Sequence, residues 1–170
     1  MTAYVALLRG VNLVGRTTLK MADLREIATK AGLTAVSTHI ASGNLLFVSD
    51  KPEEALRDCL EADLKTHLSK AIRVMLRSAA EMAEVAKANP FPDAQGNSVQ
   101  VFFLDHRPPA DFLAEVRNQD DERIVAGLRE VYVAYGKKGI GRSRLRIPEA
   151  GTARNMNTVA KLAELARELE

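Results

Sequence analysis

Three short polar segments of the sequence combine cations, amide side chains and glycines in a pattern that suits anion recognition. The first runs from residue 9 to residue 16, the second is Ser42-Gly43-Asn44, and the third runs from residue 151 to residue 158. Guanidinium groups bind phosphate through paired N–H donors, and glycine allows a backbone to approach a ligand closely. These residue types therefore favour binding of a phosphate-bearing ligand.

The candidate ligand-binding residues supply either positive charge or directional hydrogen bonds, and we expect the three segments to converge on one edge of the fold. They are Arg9, Gly10, Asn12, Arg16, Ser42, Gly43, Asn44, Thr152, Arg154, Asn155, Asn157 and Thr158. The last five precede a predicted helix, whose free N–H groups and partial positive charge favour an anion. Helix capping together with turn formation is the alternative explanation for these five residues.

The distribution of charge also points to these regions of the chain. The net charge of the 170 residues is only +2, but residues 137–154 carry six cations against one acid, and residues 1–20 carry three cations and no acid. The rest of the chain is therefore net negative. Clustered cations raise the local potential and favour anionic partners, although scattered cations on solvated loops would give the same composition.

The first segment also resembles the nucleotide-binding pattern G-x-x-x-x-G-K-[ST], since Gly10 and Gly15 are followed by Arg16 and Thr17. We reject a nucleotidase of that type because an arginine replaces the lysine and because the next helix is predicted only from Met21. The predicted strand order also lacks the parallel sheet of that fold. A looser role remains, in which loop N–H groups and Arg16 meet an anion.

Other arrangements of reactive side chains give little support for catalysis. Cys59, the single cysteine, lies at an apolar helical position with acidic neighbours, which disfavours a thiolate. His39, His67 and His106 show no metal-ligand spacing, and Ser42 has no histidine or aspartate partner that can be identified from the sequence. The sequence therefore predicts no metal site and no cofactor, and it leaves catalytic residues unassigned.

Hydrophobic periodicity predicts the elements that must position the polar segments. In the first half of the chain, apolar runs predict strands at residues 4–8, 35–41, 45–49 and 72–76, and a period near 3.6 residues predicts helices at residues 21–31 and from residue 52 to residue 68. This β-α-β-β-α-β order is the ferredoxin-like order, in which two helices pack on one face of a four-stranded antiparallel sheet.

The second half of the chain repeats much of this order. Ser78-Ala79-Ala80-Glu81 is a capping box, which predicts a helix to about residue 88. Strands are then expected at residues 99–104, 123–126 and 130–135, and helices at residues 109–117 and 158–169. No fourth strand is evident in this half, and we expect the helix after Ser78 to complete the unit instead.

The predicted fold class is α+β, with two tandem ferredoxin-like (α/β-plait) units whose antiparallel sheets have helices packed on one face. We place a ferredoxin-like domain at residues 1–77 and a variant α/β-plait domain with a C-terminal helix at residues 78–170. The first residues lack the features of a signal peptide, and no apolar run approaches the ~18 residues of a membrane span. We therefore expect a cytoplasmic protein without a membrane partner, and the sequence does not predict its oligomeric state.

Five motifs in this sequence resemble, in order, those of the bacterial family of the domain of unknown function 1697. They are Ala6-Leu-Leu-Arg-Gly-Val-Asn12, Lys20-Met-Ala-Asp-Leu24, Ser42-Gly-Asn44, Asn89-Pro-Phe91 and Gly151-Thr-Ala-Arg-Asn-Met-Asn-Thr158. The resemblance implies two consecutive α/β-plait domains, but no activity, substrate or cofactor. Met156 stands where an aromatic residue is expected, which leaves a stacking role there unsupported, whereas Arg16 keeps the cation of the commoner lysine.

Three hypotheses about function follow. The leading one is a binding module for a phosphate-bearing ligand, either a nucleotide-like small molecule or nucleic acid, at the three polar segments. The second is an enzyme acting on a small anionic substrate at the same site, with Asp23 as the nearest acid or base. The third is a structural or interaction protein whose polar residues lock the two domains together by hydrogen bonds.

Overall fold

The computed structural model describes residues 1–148 and 151–170 of the chain. These residues divide into two compact units. The first consists of Met1–Ala83 together with Leu162–Glu170, and the second consists of Glu84–Lys161. The domain boundary predicted between residues 77 and 78 stays a prediction.

The first unit has the predicted ferredoxin-like order of elements. They are β1 (Thr2–Leu8), α1 (Met21–Lys30), β2 (Thr34–Thr38), β3 (Asn44–Ser49), α2 (Glu53–Leu68) and β4 (Val74–Ser78). The strands form an antiparallel sheet in the order β2-β3-β1-β4. The helix α1 ends where Gly32 adopts φ +83°, a conformation that glycine accepts without steric cost.

Both faces of the first sheet are buried along β1, β3 and β4, because successive strand residues point to opposite sides and both sets are mostly apolar. The edge strand β2 is largely exposed. On one face, Leu8, Phe47 and Leu76 join a core with Leu24 of α1 and Leu60 of α2. On the other face, residues such as Val5, Leu7 and Met75 are also buried. Neither face of this sheet is therefore an open platform for a ligand.

The second unit also contains a four-stranded antiparallel sheet. Its strands are β5 (Val99–Phe103), β6 (Arg123–Ala126), β7 (Glu130–Ala134) and β8 (Thr152–Asn155), in the order β6-β7-β5-β8. The fourth strand, β8, corrects the sequence-based expectation that this half lacks one. The sequence 152–155 is polar, and its strand character comes from tertiary pairing with β5, where Thr152 lies opposite Phe103 and Asn155 opposite Gln100.

The predicted helix at residues 109–117 was wrong. This region contains only a short 3₁₀ helix at Phe112–Glu115. Phe112 is buried in the core of the second unit, and the chain becomes extended at Val116, whose ψ is +134°. The following residue, Arg117, pairs with Arg146 in an isolated antiparallel bridge. Backbone pairing at this point competes with continuation of a helix.

Two further helices, α3 (Ala79–Lys87) and α4 (Met156–Arg167), each follow the last strand of a sheet. The capping box at the start of α3 is confirmed, since Ser78 N–H donates to Glu81 Oε2 at 2.8 Å and Glu81 N–H donates to Ser78 Oγ at 3.2 Å. Asn155 performs the equivalent task for α4 by accepting the Thr158 N–H at 2.9 Å. The helix α4 therefore begins two residues before its predicted start.

The last strands of the two sheets share one design. Arg77 on β4 lies opposite Val5 of β1, and Arg154 on β8 lies opposite Val101 of β5. Both arginines are buried, and each is followed at once by the residue that caps the next helix. None of the helices in the described ranges is both long enough and apolar enough to cross a membrane.

Candidate functional site

Asn12 fixes the shape of the loop that follows β1. Its side-chain amide donates to the carbonyl oxygens of Leu19 and Ala41, both at 2.7 Å, and its Oδ1 accepts the Leu19 N–H at 2.8 Å. The residue has φ +56°, a left-handed conformation that asparagine tolerates better than most residues. Asn12 thereby holds both ends of the loop together and ties the loop to the neighbouring turn. Its hydrogen-bonding capacity is largely used within the protein.

The turn at residues 41–43 is built to pack against this loop. Gly43 has φ +85°, and its carbonyl accepts the Leu8 N–H at 2.9 Å. A Cβ placed at Gly43 would lie 2.6 Å from Val11 Cγ2 and 2.9 Å from Leu8 Cβ, which only a rearrangement could relieve. Glycine is therefore needed here for conformation and for close packing, and its place in the sequence signature has a structural explanation.

Asn44 is also committed to structure. Its side chain is fully buried and donates to the carbonyl oxygen of His39 and to Ser42 Oγ, both at 2.9 Å. These bonds define the hairpin between β2 and β3. The first two polar segments thus meet in the first unit, and their meeting point is made by Asn12, Gly43 and Asn44.

The tip of the loop presents different chemistry from its base. Leu13 O accepts the Arg16 N–H at 2.9 Å, and Gly15, at the third position of this turn, has φ +71°. The side chains of Leu13 and Val14 are 59% and 105% exposed. In the part of the chain that the structure describes, the N–H groups of Leu13, Val14 and Gly15 have no acceptor.

Two cations flank this tip. Arg9 and Arg16 are exposed, and within the described ranges neither guanidinium has a hydrogen-bonding or ion-pair partner. No acidic residue occurs before Asp23 in the sequence. The loop therefore combines two uncompensated cations with three consecutive N–H groups in a turn, and such groups can form an anion-binding concavity. The sequence had already suggested that loop N–H groups act together with Arg16, and Gly15 marks the turn that exposes them.

The third polar segment lies in the second unit, and its buried residues bond within the protein. Arg154 donates to Thr152 Oγ1 and to the Ala153 carbonyl oxygen, both at 2.8 Å. Both side chains are buried, and the loss of solvent lowers the pKa of the Arg154 guanidinium to about 10. Arg154 still carries a positive charge at neutral pH, but it belongs to a strand and not to the start of a helix.

The remaining residues of this segment begin α4. Asn155 is the cap, and the Thr158 N–H is its donor. Asn157 is exposed, and its side chain lies directly over Gly96, where an added Cβ would be 1.9 Å from Asn157 Oδ1. The convergence of this segment with the other two stays a prediction.

The structure gives the candidate acid–base residue Asp23 a partner. Asp23 Oδ2 lies 3.5 Å from Nε2 of His67, so the pair links α1 to α2. Cys59 is half-buried beside Asp63, and both burial and the nearby carboxylate raise the pKa of its thiol. Among the described residues, no group of three or more histidine, cysteine, aspartate or glutamate side chains could hold a metal ion.

The aromatic side chains of the first sheet also pack against other side chains of the protein. Tyr4 stacks on Phe47 with ring centroids 5.8 Å apart, and Phe47 is fully buried in the core beneath the helices. Nucleic-acid readers of the ferredoxin-like type stack bases on exposed sheet aromatics. These two rings do not offer such a platform.

Comparison with known proteins identifies a family. Residues 1–132 match the model of the family described as Protein of unknown function (DUF1697). A solved structure, that of the conserved bacterial protein SP0830 from Streptococcus pneumoniae, is similar with a TM-score of 0.78 and 24% sequence identity, covering 97% of this chain and 98% of that one. This likeness shows the fold alone. No curated protein matches the chain significantly.

Proposed function

The chain belongs to the DUF1697 family of unknown function, and we propose that it is a binding protein for a phosphate-bearing small molecule, held by the loop at residues 9–16. The observation that carries this proposal is the pair of exposed arginines, Arg9 and Arg16, which have no partner among the described residues. An exposed cation without a carboxylate partner is available to an anion, and guanidinium groups favour phosphate through bidentate hydrogen bonds.

The rest of the site supports these two cations. The N–H groups of Leu13, Val14 and Gly15 add neutral donors that suit phosphate oxygens. Asn12 and the turn at residues 41–43 keep the loop in one conformation, which reduces the entropy that binding would otherwise cost. We therefore assign Asn12, Gly43 and Asn44 to positioning and not to ligand contact.

The proposal favours a small molecule over nucleic acid at this loop. Nucleic-acid readers of this fold stack bases on exposed aromatic rings, whereas Phe47 is buried in the core and the partly buried Tyr4 packs against that core. Within residues 151–158, Thr152, Arg154 and Asn155 bond within the second unit. We therefore narrow the proposed ligand contacts to Arg9, Arg16 and the loop N–H groups.

A thermal-shift panel tests the proposal. Wild-type protein is heated with nucleotides, sugar phosphates, inorganic phosphate and short RNA, and a ligand at about 100 times its Kd should stabilise the folded state by about 2.7 kcal/mol. For a chain of this length that corresponds to a rise in Tm of roughly 5–11 °C. The Arg9→Gln/Arg16→Gln variant should lose the shift, because it removes both cations.

The Lys70→Gln variant is the matched control, since it removes an exposed cation after α2 and should keep the full shift. The proposal fails if no phosphate compound raises the Tm of the wild type, or if the double arginine variant responds like the control. Stabilisation by RNA but by no mononucleotide, when it is lost in the double arginine variant, would show that the ligand of the loop is polymeric and that the preference for a small molecule is wrong.

A further inference from the structure

The second unit carries a row of arginines on one face of an extended chain segment. Arg117 N–H donates to Arg146 O at 3.0 Å, and Arg146 N–H donates to Arg117 O at 2.9 Å. Two residues that exchange both bonds in this way lie directly opposite each other, with their side chains on the same side and their Cβ atoms about 5 Å apart. The side chains of Arg117 and Arg146 therefore extend from neighbouring backbone positions on the same side of the bridge.

Alternation along the segment places a third arginine on the same side. Leu145 and Ile147 pack against the core of the second unit, as does Val116 on the opposite segment. Because successive residues of an extended chain point to opposite sides, Arg144 and Arg146 point outward. Both are exposed, as is Arg117. We call Arg117, Arg144 and Arg146 the arginine face.

Two of the nearby carboxylates are already engaged. Asp120 forms an ion pair with Lys138, and Glu122 accepts hydrogen bonds from Ser143 Oγ and from the Asp120 N–H. Within the described ranges, none of the three arginines of the face has a side-chain partner. Like charges placed directly opposite each other destabilise a strand pair. Contacts among the described residues therefore give no reason for this arrangement, whereas an external anion would.

We propose that the arginine face binds a chain of phosphate groups, as found in the backbone of a nucleic acid or in inorganic polyphosphate. Arg144 and Arg146 are two residues apart, which separates them by up to about 7 Å along the chain. Arg117 lies opposite Arg146 on the neighbouring segment. A row of cations fits a row of phosphates better than a single anion. This surface is independent of the loop at residues 9–16 and does not rest on its proposed function.

The binding is through the phosphates and not through bases. The half-buried rings of Phe102 and Tyr135 pack against the core of the second unit, as do Leu145 and Ile147. No aromatic residue lies among residues 113–131 or 136–148, so the segments that form the face supply no stacking surface. We therefore expect little dependence on nucleotide sequence and a strong dependence on salt.

The test measures fluorescence anisotropy of a labelled single strand of about 16 nucleotides. Titrations at salt concentrations between about 50 and 200 mM give the slope of log K against log salt. Each phosphate contact contributes about 0.7 to this slope for a single strand, so Arg117→Gln/Arg146→Gln should reduce it by about 1.4 and weaken binding roughly 25-fold at 0.1 M salt. Unlabelled inorganic polyphosphate is then added as a competitor of the labelled strand. Efficient competition would show that the phosphate groups alone are recognised.

Lys138→Gln is the matched control, because it removes a cation from the same basic segment whose charge Asp120 already compensates. This variant should change the affinity for the strand less than twofold, because the exposed Lys138–Asp120 ion pair contributes little free energy. The double arginine variant should also unfold at the same temperature as the wild type or higher, since it removes a like-charge pair. That readout separates loss of binding from loss of structure.

Three results would overturn the proposal. One is absence of binding to both phosphate polymers by the wild type at the lowest salt concentration. Another is equal binding by the double arginine variant and by Lys138→Gln. The third is competition by polyglutamate as strong as that by polyphosphate, which would identify an acidic protein as the partner. If binding is lost in Arg9→Gln/Arg16→Gln but kept in the face variant, the polymer site lies at the first loop.

Discussion

Replacement of Asn12 tests whether the loop at residues 9–16 is held by one side chain. The three hydrogen bonds of Asn12 are 2.7, 2.7 and 2.8 Å long and close the loop on Leu19 and on the turn at Ala41. A net contribution of ~0.5–1.5 kcal/mol for each bond, with the lower value for the exposed one, gives about 1.5–3.5 kcal/mol for the set. We therefore expect Asn12→Gly to lower the free energy of unfolding by that amount.

Two further substitutions separate the causes. Because Asn12 has φ +56°, Asn12→Ala should be less stable than Asn12→Gly by up to about 1 kcal/mol. Asn12→Asp keeps an acceptor for the Leu19 N–H but places a carboxylate against two carbonyl oxygens. Its stability should therefore rise relative to the wild type as the pH is lowered and the carboxyl becomes protonated.

Urea unfolding followed by circular dichroism gives the free energies, and Tm should fall by about 3–14 °C for 1.5–3.5 kcal/mol in a chain of this length. Hydrogen exchange gives a local readout, since the Leu19 N–H should lose its protection in Asn12→Gly. The reasoning is refuted if Asn12→Gly unfolds within about 0.5 kcal/mol of the wild type while the Leu19 N–H stays protected.

Two other predictions concern the turn of the first unit and an acid of the second. Gly43→Ala should lower the free energy of unfolding by about 2–4 kcal/mol, because alanine would have to adopt φ +85° and its Cβ would lie 2.6 Å from Val11 Cγ2. An unchanged urea midpoint would contradict this prediction. Hydrogen bonds from Ser143 and from the Asp120 N–H lower the pKa of Glu122, so its stabilisation is present above the usual carboxyl pKa and is lost as pH falls through the folded-state value. Ser143→Ala should therefore cost about 1–2 kcal/mol at neutral pH. The difference from the wild type should shrink as the pH falls through the folded-state pKa of Glu122, to the part due to the Leu145 N–H that Ser143 Oγ also accepts. A difference that does not shrink in acid would mean that the hydroxyl does not act on the ionised Glu122.

Local sequence patterns were sufficient for the first unit because its elements are apolar and regular. Leu56, Leu60 and Leu64 are all fully or almost fully buried on one side of α2, as their four-residue spacing predicts. The Ser78 capping box was equally readable, since both of its partners lie within four residues. Such features depend on short-range geometry, which a single sequence contains.

The second unit was less predictable because its decisive contacts are distant in sequence. Thr152–Asn155 form a strand only through pairing with β5, about fifty residues earlier, and the strand buries a guanidinium that composition assigns to the surface. The same applies to the Arg117–Arg146 bridge, which replaces the helix predicted there. The candidate site residues were selected from the sequence as one group, and the sequence could not separate Arg9 and Arg16, which are exposed, from Arg154, which is buried.

The division of the chain has a consequence for its synthesis on the ribosome. The second unit is one continuous stretch, Glu84–Lys161, whereas the first unit also needs Leu162–Glu170, with Leu162 and Ala166 fully buried. At ~5–20 residues per second, the intervening stretch takes roughly 4–16 s to translate. During that interval the first sheet exists without the helical segment that belongs to its unit. The unit that begins first along the chain is therefore the one that is completed last, and its exposed apolar side chains are the ones that a chaperone would meet.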